Sequence, residues 1–377
     1  MDFITFGSIR KGCEFLLLAL MLITVVLLLG VIFVNGWTDA PNAIATAVST
    51  RVMTPSTAVK MAVVLNFAGT LIMCYISKSV AETVSGMVDI QGGGYSTKQQ
   101  LIMLAASMLA IVVWATAAWY FGIPTSESHA LIAGLTGGAI ALYNFKSFSI
   151  GEFQNALQNV SGSAWLKVLI GLAVSSFLCF AAGYFITKLI EVIFRRVRRS
   201  TANKISNVGE AVAAGAMAFM HGAQDGQKFM AIILLTLSIY CPQNLAAFLD
   251  LPTTTMGTYT IPIWLVIICS LTMSIGTSVG GYKIIKAVGM DMVKLEKYQA
   301  FASDLSSSII LFICSNIGLP VSTTNTKTTA IMGVGASKRM SNVNWGVAKE
   351  MVIAWVLTFP CCGLIAFLMT KFFLMVF

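Results

Sequence analysis

The chain has 377 residues, of which 57% are hydrophobic and only 10% charged, with a formal net charge of +9. Soluble domains carry about 25% charged residues, so this composition, with a mean hydropathy of +0.84, excludes a soluble enzyme, a disordered chain and a disulfide-stapled secreted module. What remains is a polytopic membrane protein, and the long unbroken apolar runs, without alternation, point to helices and away from a transmembrane β-barrel.

At roughly 20 residues per span the chain has room for about ten to twelve transmembrane segments. Apolar runs lie near residues 15–34, 58–77, 101–121, 130–143, 166–194, 208–220, 229–240, 262–282, 301–317, 328–336 and 346–377. The first is too long for the apolar part of a signal peptide and reads as a span. Four runs are short: 130–143, 208–220, 229–240 and 328–336. Each adjoins a cluster of Gly, Pro, Ser, Thr, Asn or Asp, the pattern of broken or re-entrant helices at membrane depth. Cys74, Cys179, Cys269, Cys314, Cys361 and Cys362 sit in or beside apolar runs without metal-ligand spacing and read as small hydrophobes.

The basic residues fall mainly between the runs, which is a topology signal and not a nucleic-acid surface. Arg195, Arg196, Arg198, Arg199 and Lys204 form one dense link. With that link in the cytoplasm, and 208–220 merged with 229–240, ten crossings place most Lys and Arg inside and both termini outside. Agreeing with this, the outer loop from Cys241 to Thr260 has no Lys or Arg. The expected organisation is an N-terminal unit over 1–194, a basic cytoplasmic linker over 195–207 and a C-terminal unit over 208–377.

The two units share motifs. Asn-Gly-Trp-Thr-Asp-Ala-Pro-Asn at 35–42 is echoed by His-Gly-Ala-Gln-Asp-Gly-Gln-Lys at 221–228, with Gly36 matching Gly222 and Asp39 matching Asp225. Gly-Ile-Pro-Thr-Ser-Glu-Ser-His at 122–129 is echoed by Gly-Leu-Pro-Val-Ser-Thr-Thr-Asn at 318–325, and Gly137 continues the register with Gly333. Two polar motifs in the same order mean a duplicated unit. Five crossings per unit, an odd number, set the copies in opposite orientations, so the expected fold is all-α with two inverted-topology repeats and a site where they meet.

A carboxylate at the bilayer centre costs roughly 2.5–3.5 kcal/mol on insertion scales, so Asp39 and Asp225 are expected to be paired, protonated or bound to a cation. The neighbouring glycines are expected to let the backbone unwind and expose carbonyls, which with Asn35 and Asn42 would make a hard-oxygen site for Na⁺ or a site of proton exchange. The alternative is an Asp that merely caps a helix near the interface. In the second motif pair, Pro followed by hydroxyls starts a helix whose free amides carry about half a positive charge. Thr125, Ser126, Ser128, Ser322, Thr323 and Thr324 would line an oxyanion cradle there, beyond the one hydroxyl per helix that capping needs. The chain's two histidines, His129 and His221, both fall in motifs and serve either as proton carriers or as hydrogen-bonding residues. Lys228 stands where the first unit has Asn42, and its ammonium would replace a bound cation or meet the anion; Lys327 is a second such candidate. Asp304 is a third acid in an apolar run, either a coupling site or a helix-end residue paired with Lys297 or Lys283. No Walker loop, His-Glu-x-x-His, Cys-x-x-Cys or nucleophile elbow is present, so no enzyme chemistry is expected.

These four motifs, in this order and spacing, resemble those of the inorganic phosphate transporter family, often called PiT: Gly-Trp-Thr-Asp-Ala-Pro-Asn, Gly-Ala-Gln-Asp-Gly-Gln-Lys, Pro-Thr-Ser-Glu-Ser-His and Pro-Val-Ser-Thr-Thr-Asn. The resemblance runs from about residue 25 to the end. It implies symport of inorganic phosphate with Na⁺ or H⁺, no other cofactor, and a homodimer embedded in the lipids of a bacterial plasma membrane. By position it carries the phosphate and cation site onto Asp39, Asn42, Ser126, Ser128, Asp225, Ser322, Thr323 and Thr324, and a coupling acid onto Asp304. Thr38 and Gln224 stand where many relatives have Asn before the signature Asp, Asn325 replaces a His, and Lys228 replaces an Asn. The Asp-Gly-Gln-Lys form resembles bacterial members associated with proton coupling and metal-phosphate substrates, with Lys228 as a fixed charge where a second Na⁺ would sit. Sulfate or another tetrahedral oxyanion is the alternative cargo, and a passive anion channel the alternative mode.

Overall fold

A computed structural model describes residues 2–77, 79–88, 93–123, 125–144, 150–240, 253–256, 259–279, 285, 289 and 292–377, with backbone alone for 2–13, 253–256 and 259–262. Pro124, Lys283 and most of the loop after Tyr240 lie outside the described residues.

The fold is helical, as the unbroken apolar runs predict. In chain order come α1 (Asp2–Thr38), α2 (Pro41–Ser49), α3 (Pro55–Ile76), α4 (Ser79–Ser85), α5 (Thr97–Phe121), α6 (Glu127–Leu142), α7 (Ile150–Ala156), α8 (Gly162–Phe194) and α9 (Arg199–Tyr240). A short hairpin, β1 (Thr253–Met256) with β2 (Tyr259–Pro262), precedes α10 (Ile263–Val279), α11 (Lys297–Asn316), α12 (Thr323–Lys338) and α13 (Trp345–Val376). Five helical stretches among the described residues are long and apolar enough to cross a membrane, and α10 is a shorter apolar helix. Hydrophobic side chains such as Phe177 and Phe185 on α8, or Leu364 and Leu368 on α13, point outward, as a lipid-facing surface requires. The cysteines behave as read: Cys74, Cys179, Cys269, Cys314 and Cys362 are free and buried.

Local sequence explains the helix ends. A capping box of Ser96 with Gln99 opens α5, and Thr54 followed by Pro55 opens α3. Gly122 closes α5 in the left-handed conformation with φ 70°, and its counterpart Gly318 follows α11 with φ 72°. Ser126 then caps α6, accepting from the His129 amide at 3.4 Å, and Ser322 caps α12, accepting from the Asn325 amide at 3.1 Å. The two hydroxyl-rich segments are therefore helix starts, as expected.

The packing is reciprocal between the two parts of the chain. The short helix α6 lies against α13, and the short helix α12 lies against α8. Likewise α3 packs on α9, and α1 packs on α10. The two short helices are wrapped by neighbours: every residue from Thr323 to Ser337 is buried. Polar helix starts are thus held within protein, where non-lipid partners satisfy them.

One expectation is overturned. The segment His221–Lys228 was expected to break a helix between two short runs, but α9 continues through it for 42 residues. The matching segment does break, between α1 and α2, at Asp39 and Ala40. The difference is Pro41, whose counterpart is Gln227: proline has no amide to continue the ladder, and glutamine does. Gly36 and Gly222 also do not unwind the backbone. Both are inside helices, where a side chain would collide with the Met273 carbonyl and with the Asn66 backbone respectively, so their function is close helix approach.

Candidate functional site

The α1–α2 break aims Asp39 into the interior, where it is buried at 1% exposure. Asn42 donates to its Oδ1 at 2.7 Å, Thr323 donates to Oδ2 at 3.3 Å, and the Thr324 hydroxyl also donates to Oδ1. Asn42 additionally reaches Thr324 Oγ1 at 3.2 Å. The Thr323 and Thr324 hydroxyls at the start of α12 are thus committed to one carboxylate, which sits at the positive end of that helix.

Asp225 lies on α9 and is fully buried. Lys228, one turn on, donates to its Oδ1 at 2.7 Å, and Asn35 donates to its Oδ2 at 3.1 Å. The Lys228 ammonium spends its other two protons on Ser128 Oγ at 2.7 Å and the Val321 carbonyl at 2.6 Å. Its surroundings, a carboxylate, a hydroxyl and a carbonyl, are the oxygen types that a hard metal cation would take. His221 Nε2 stands 3.4 Å from Asp225 Oδ2, and its Nδ1 is 3.0 Å from Asn66 Oδ1. Asn66 in turn donates to Thr277 at 3.1 Å, which fixes the imidazole to α3 and α10.

Asp39, His221 and Asp225 each offer a ligand atom within 4.8 Å of the others. Around them Asn35 Oδ1, Asn42 Oδ1 and Gln224 Oε1 are buried acceptors without a hydrogen-bond partner among the described residues. Two carboxylates ringed by unsatisfied acceptors suit a cation. The start of α12, with its hydroxyls and free amides, suits an oxyanion.

The predicted site residues divide accordingly. Asp39, Asn42, Thr323 and Thr324 form one hydrogen-bonded network, and Asn35, Ser128, His221, Asp225 and Lys228 a second that adjoins it where Asp39, His221 and Asp225 converge. Ser126 and Ser322 border them as caps. Thr125 lies just outside, lining a small cleft with Thr38, Asn42, Trp119 and Glu127. His129 is buried, but its ring stacks on Phe359 at 4.8 Å and neither nitrogen has a hydrogen-bond partner among the described residues, so it is not joined to either network there. Asp304 is neither at a helix end nor paired with Lys297: it is buried in the middle of α11 and ion-paired with Lys327. Lys327 is accordingly committed to Asp304 and Thr46, one turn along α12 from the hydroxyls that hold Asp39.

Four participants escaped the sequence reading. Glu127 is buried and accepts from Thr38 at 2.5 Å. Asn66, Thr46 and Glu210 are isolated polar residues in or beside helices whose apolar runs draw attention elsewhere. The available signal was their isolation, since a lone acid or amide in a spanning run is costly unless it is used.

The chain is thus a polytopic helical membrane protein that keeps its ionic chemistry in its interior. Residues 35–366 match the model of the phosphate transporter family. The chain is 33% identical over 348 residues to a probable low-affinity inorganic phosphate transporter of Bacillus subtilis, covering 92% of this chain and 94% of that one. It is 34% identical over 335 residues to a protein of the same description from Rhizobium meliloti, covering 89% and 90%. A solved structure described as the sodium-dependent phosphate transporter superposes with a TM-score of 0.79 at 18% identity, covering 95% of this chain and 100% of that one, and so shares its fold. The chain belongs to the phosphate transporter family, which is a family of transporters and not of enzymes.

Proposed function

We propose that the protein is a secondary active symporter that imports inorganic phosphate, free or as a metal-phosphate complex, with a coupling cation by alternating access. One observation carries this reading. Asn42 donates to Thr324, and its counterpart Lys228 donates to Ser128, the counterpart of Thr324. Each acid-bearing motif therefore grips the hydroxyl helix start of the other half. That reciprocity supports two related halves, 1–194 and 208–377, meeting at one site, and the Lys and Arg bias between the runs supports a cytoplasmic 195–207 link.

The charges set the order of events. Asp39 and Asp225 contribute two negative charges and Lys228 one positive charge. An oxyanion approaching this site is repelled, and the hydroxyls it needs are occupied by Asp39. A cation on Asp39 removes both obstacles, because a neutralised carboxylate releases Thr323 and Thr324 to the anion. Cation binding thus precedes phosphate binding. Importing one negative charge against 100 mV costs about 2.3 kcal/mol, so co-transported cations must at least match the phosphate charge. Lys228 fills the oxygen shell of one cation permanently, and this favours protons over sodium as the coupling ion.

The test is uptake of labelled phosphate into proteoliposomes in a bacterial-type lipid mixture. Saturable, concentrative uptake that survives sodium removal and collapses with a protonophore is the expected result. Strict sodium dependence would move the coupling to Na⁺. Non-saturable flux would indicate a channel, and full competition by sulfate a general oxyanion carrier.

A further inference from the structure

Four side chains from four helices meet one helical turn away from the phosphate site. Asp304 on α11 is buried and ion-paired with Lys327 on α12. Thr46 on α2 lies 2.9 Å from both Asp304 oxygens, and Lys327 donates to Thr46 at 2.8 Å. Glu210 on α9 completes the group. Gly209 beside it packs on Phe301, one turn before Asp304 on α11, which puts the Glu210 carboxylate within electrostatic reach of Lys327. Glu210 is fully buried, yet neither of its oxygens has a hydrogen-bond partner among the described residues.

Two carboxylates thus share one ammonium, and the cluster is one positive charge short. A buried carboxylate left uncompensated is costly, and two like charges beside a single counter-ion favour taking up a cation. A metal ion fits poorly, since Lys327 already occupies the oxygens of Asp304 and Thr46 and leaves only the Glu210 carboxylate, whereas a hard cation needs a shell of several oxygens. A proton needs one oxygen. We propose that the Glu210–Lys327–Asp304–Thr46 cluster is a proton-binding site of the transport cycle, distinct from the phosphate site, with Glu210 as the proton carrier and Lys327 as a tethered cation. This rests on the symport reading above and adds a second coupling site to the cation on Asp39.

The two sites share their scaffold. Thr46 follows Asn42 by one turn on α2, and Lys327 follows Thr323 and Thr324 by one turn on α12, about 5.4 Å along each helix. Asn42, Thr323 and Thr324 hold Asp39. An ionised Glu210 competes with Asp304 for Lys327 and so pulls on the helix whose first turn binds Asp39. A protonated Glu210 releases it. The charged groups facing Glu210 are Lys327 and, behind it, Asp304, while α2 contributes the uncharged Thr46. Glu210 gains a proton from one side of the membrane and loses it to the other, and no other bond changes.

The experiment uses the full chain in proteoliposomes loaded with a pH-sensitive dye, comparing wild type, Glu210→Gln and Glu210→Asp. In Glu210→Gln, concentrative phosphate uptake driven by a proton gradient is expected to fall by about tenfold or more, and phosphate-evoked acidification of the lumen should disappear. Exchange of labelled for unlabelled phosphate at equal pH, which needs no net proton movement, should persist in the same preparation. Glu210→Asp should restore acidification with a displaced pH profile. Wild-type concentration and acidification in Glu210→Gln overturn the proposal. So does joint loss of exchange and uptake that Glu210→Asp does not rescue, since that outcome marks a purely structural residue. If wild type itself exchanges no phosphate, the failure belongs to the transport reading and not to Glu210.

Discussion

Replacing Lys228 with asparagine gives the second half the residue that the first half has at Asn42, and removes an ammonium bonded to Asp225, Ser128 and the Val321 carbonyl at 2.7, 2.7 and 2.6 Å. Asp225 is then left fully buried with the Asn35 amide and His221 as its remaining partners. Removing one member of a buried ion pair costs about 3–5 kcal/mol, chiefly because the surviving charge is uncompensated. If Lys228 stands in for a bound metal cation, sodium should fill the emptied oxygen shell. At a free concentration one hundred times its Kd, sodium would return about 2.7 kcal/mol, most of the loss. The assay is thermal unfolding of the purified protein in sodium chloride and in choline chloride at equal ionic strength, paired with uptake in the same salts. Lys228→Asn should be destabilised in choline and largely rescued by sodium, and its phosphate uptake should become sodium-stimulated where wild type is indifferent. A variant whose stability and uptake ignore sodium, while uptake stays at the wild-type level, refutes the tethered-cation reasoning.

Other expectations follow from the same geometry. Asp39→Asn keeps the shape and one acceptor oxygen, enough for Thr324 but not also for Thr323, and cannot take up a proton, so phosphate uptake should fall about 10- to 100-fold while thermal unfolding drops by no more than about one lost hydrogen bond; normal uptake would remove Asp39 from the mechanism. Gly222→Ala puts a methyl group into the Asn66 backbone, which should cost about 1–3 kcal/mol by overpacking and displace the α3 residue that holds His221; unchanged stability and uptake would show that α3 and α9 can separate freely.

Much of the fold was legible from patterns that depend on near neighbours. The apolar runs, the caps at Ser126 and Ser322 and the glycines after α5 and α11 are local features. The break at Asp39 was also local, since Pro41 carries it, but treating the two acid motifs as equivalent hid the fact that Gln227 lets α9 run on. His129 misled for the opposite reason. It lies in the right motif, but its place on the helix turns the ring onto Phe359.

By itself the sequence determined the membrane class, the pairing of four motifs and the residue types able to handle a cation and an oxyanion, because composition and spacing are properties of the chain. Only the tertiary structure decided who meets whom. Asp39 finds Thr324, 285 positions away, and Asn35 finds Asp225 across 190. Lys228 and Lys327 look alike as lone basic residues near polar motifs, yet one closes the Asp225 site and the other serves Asp304 and Thr46. A buried charge takes its role from the partner that compensates it, and in this protein that partner is supplied by another helix.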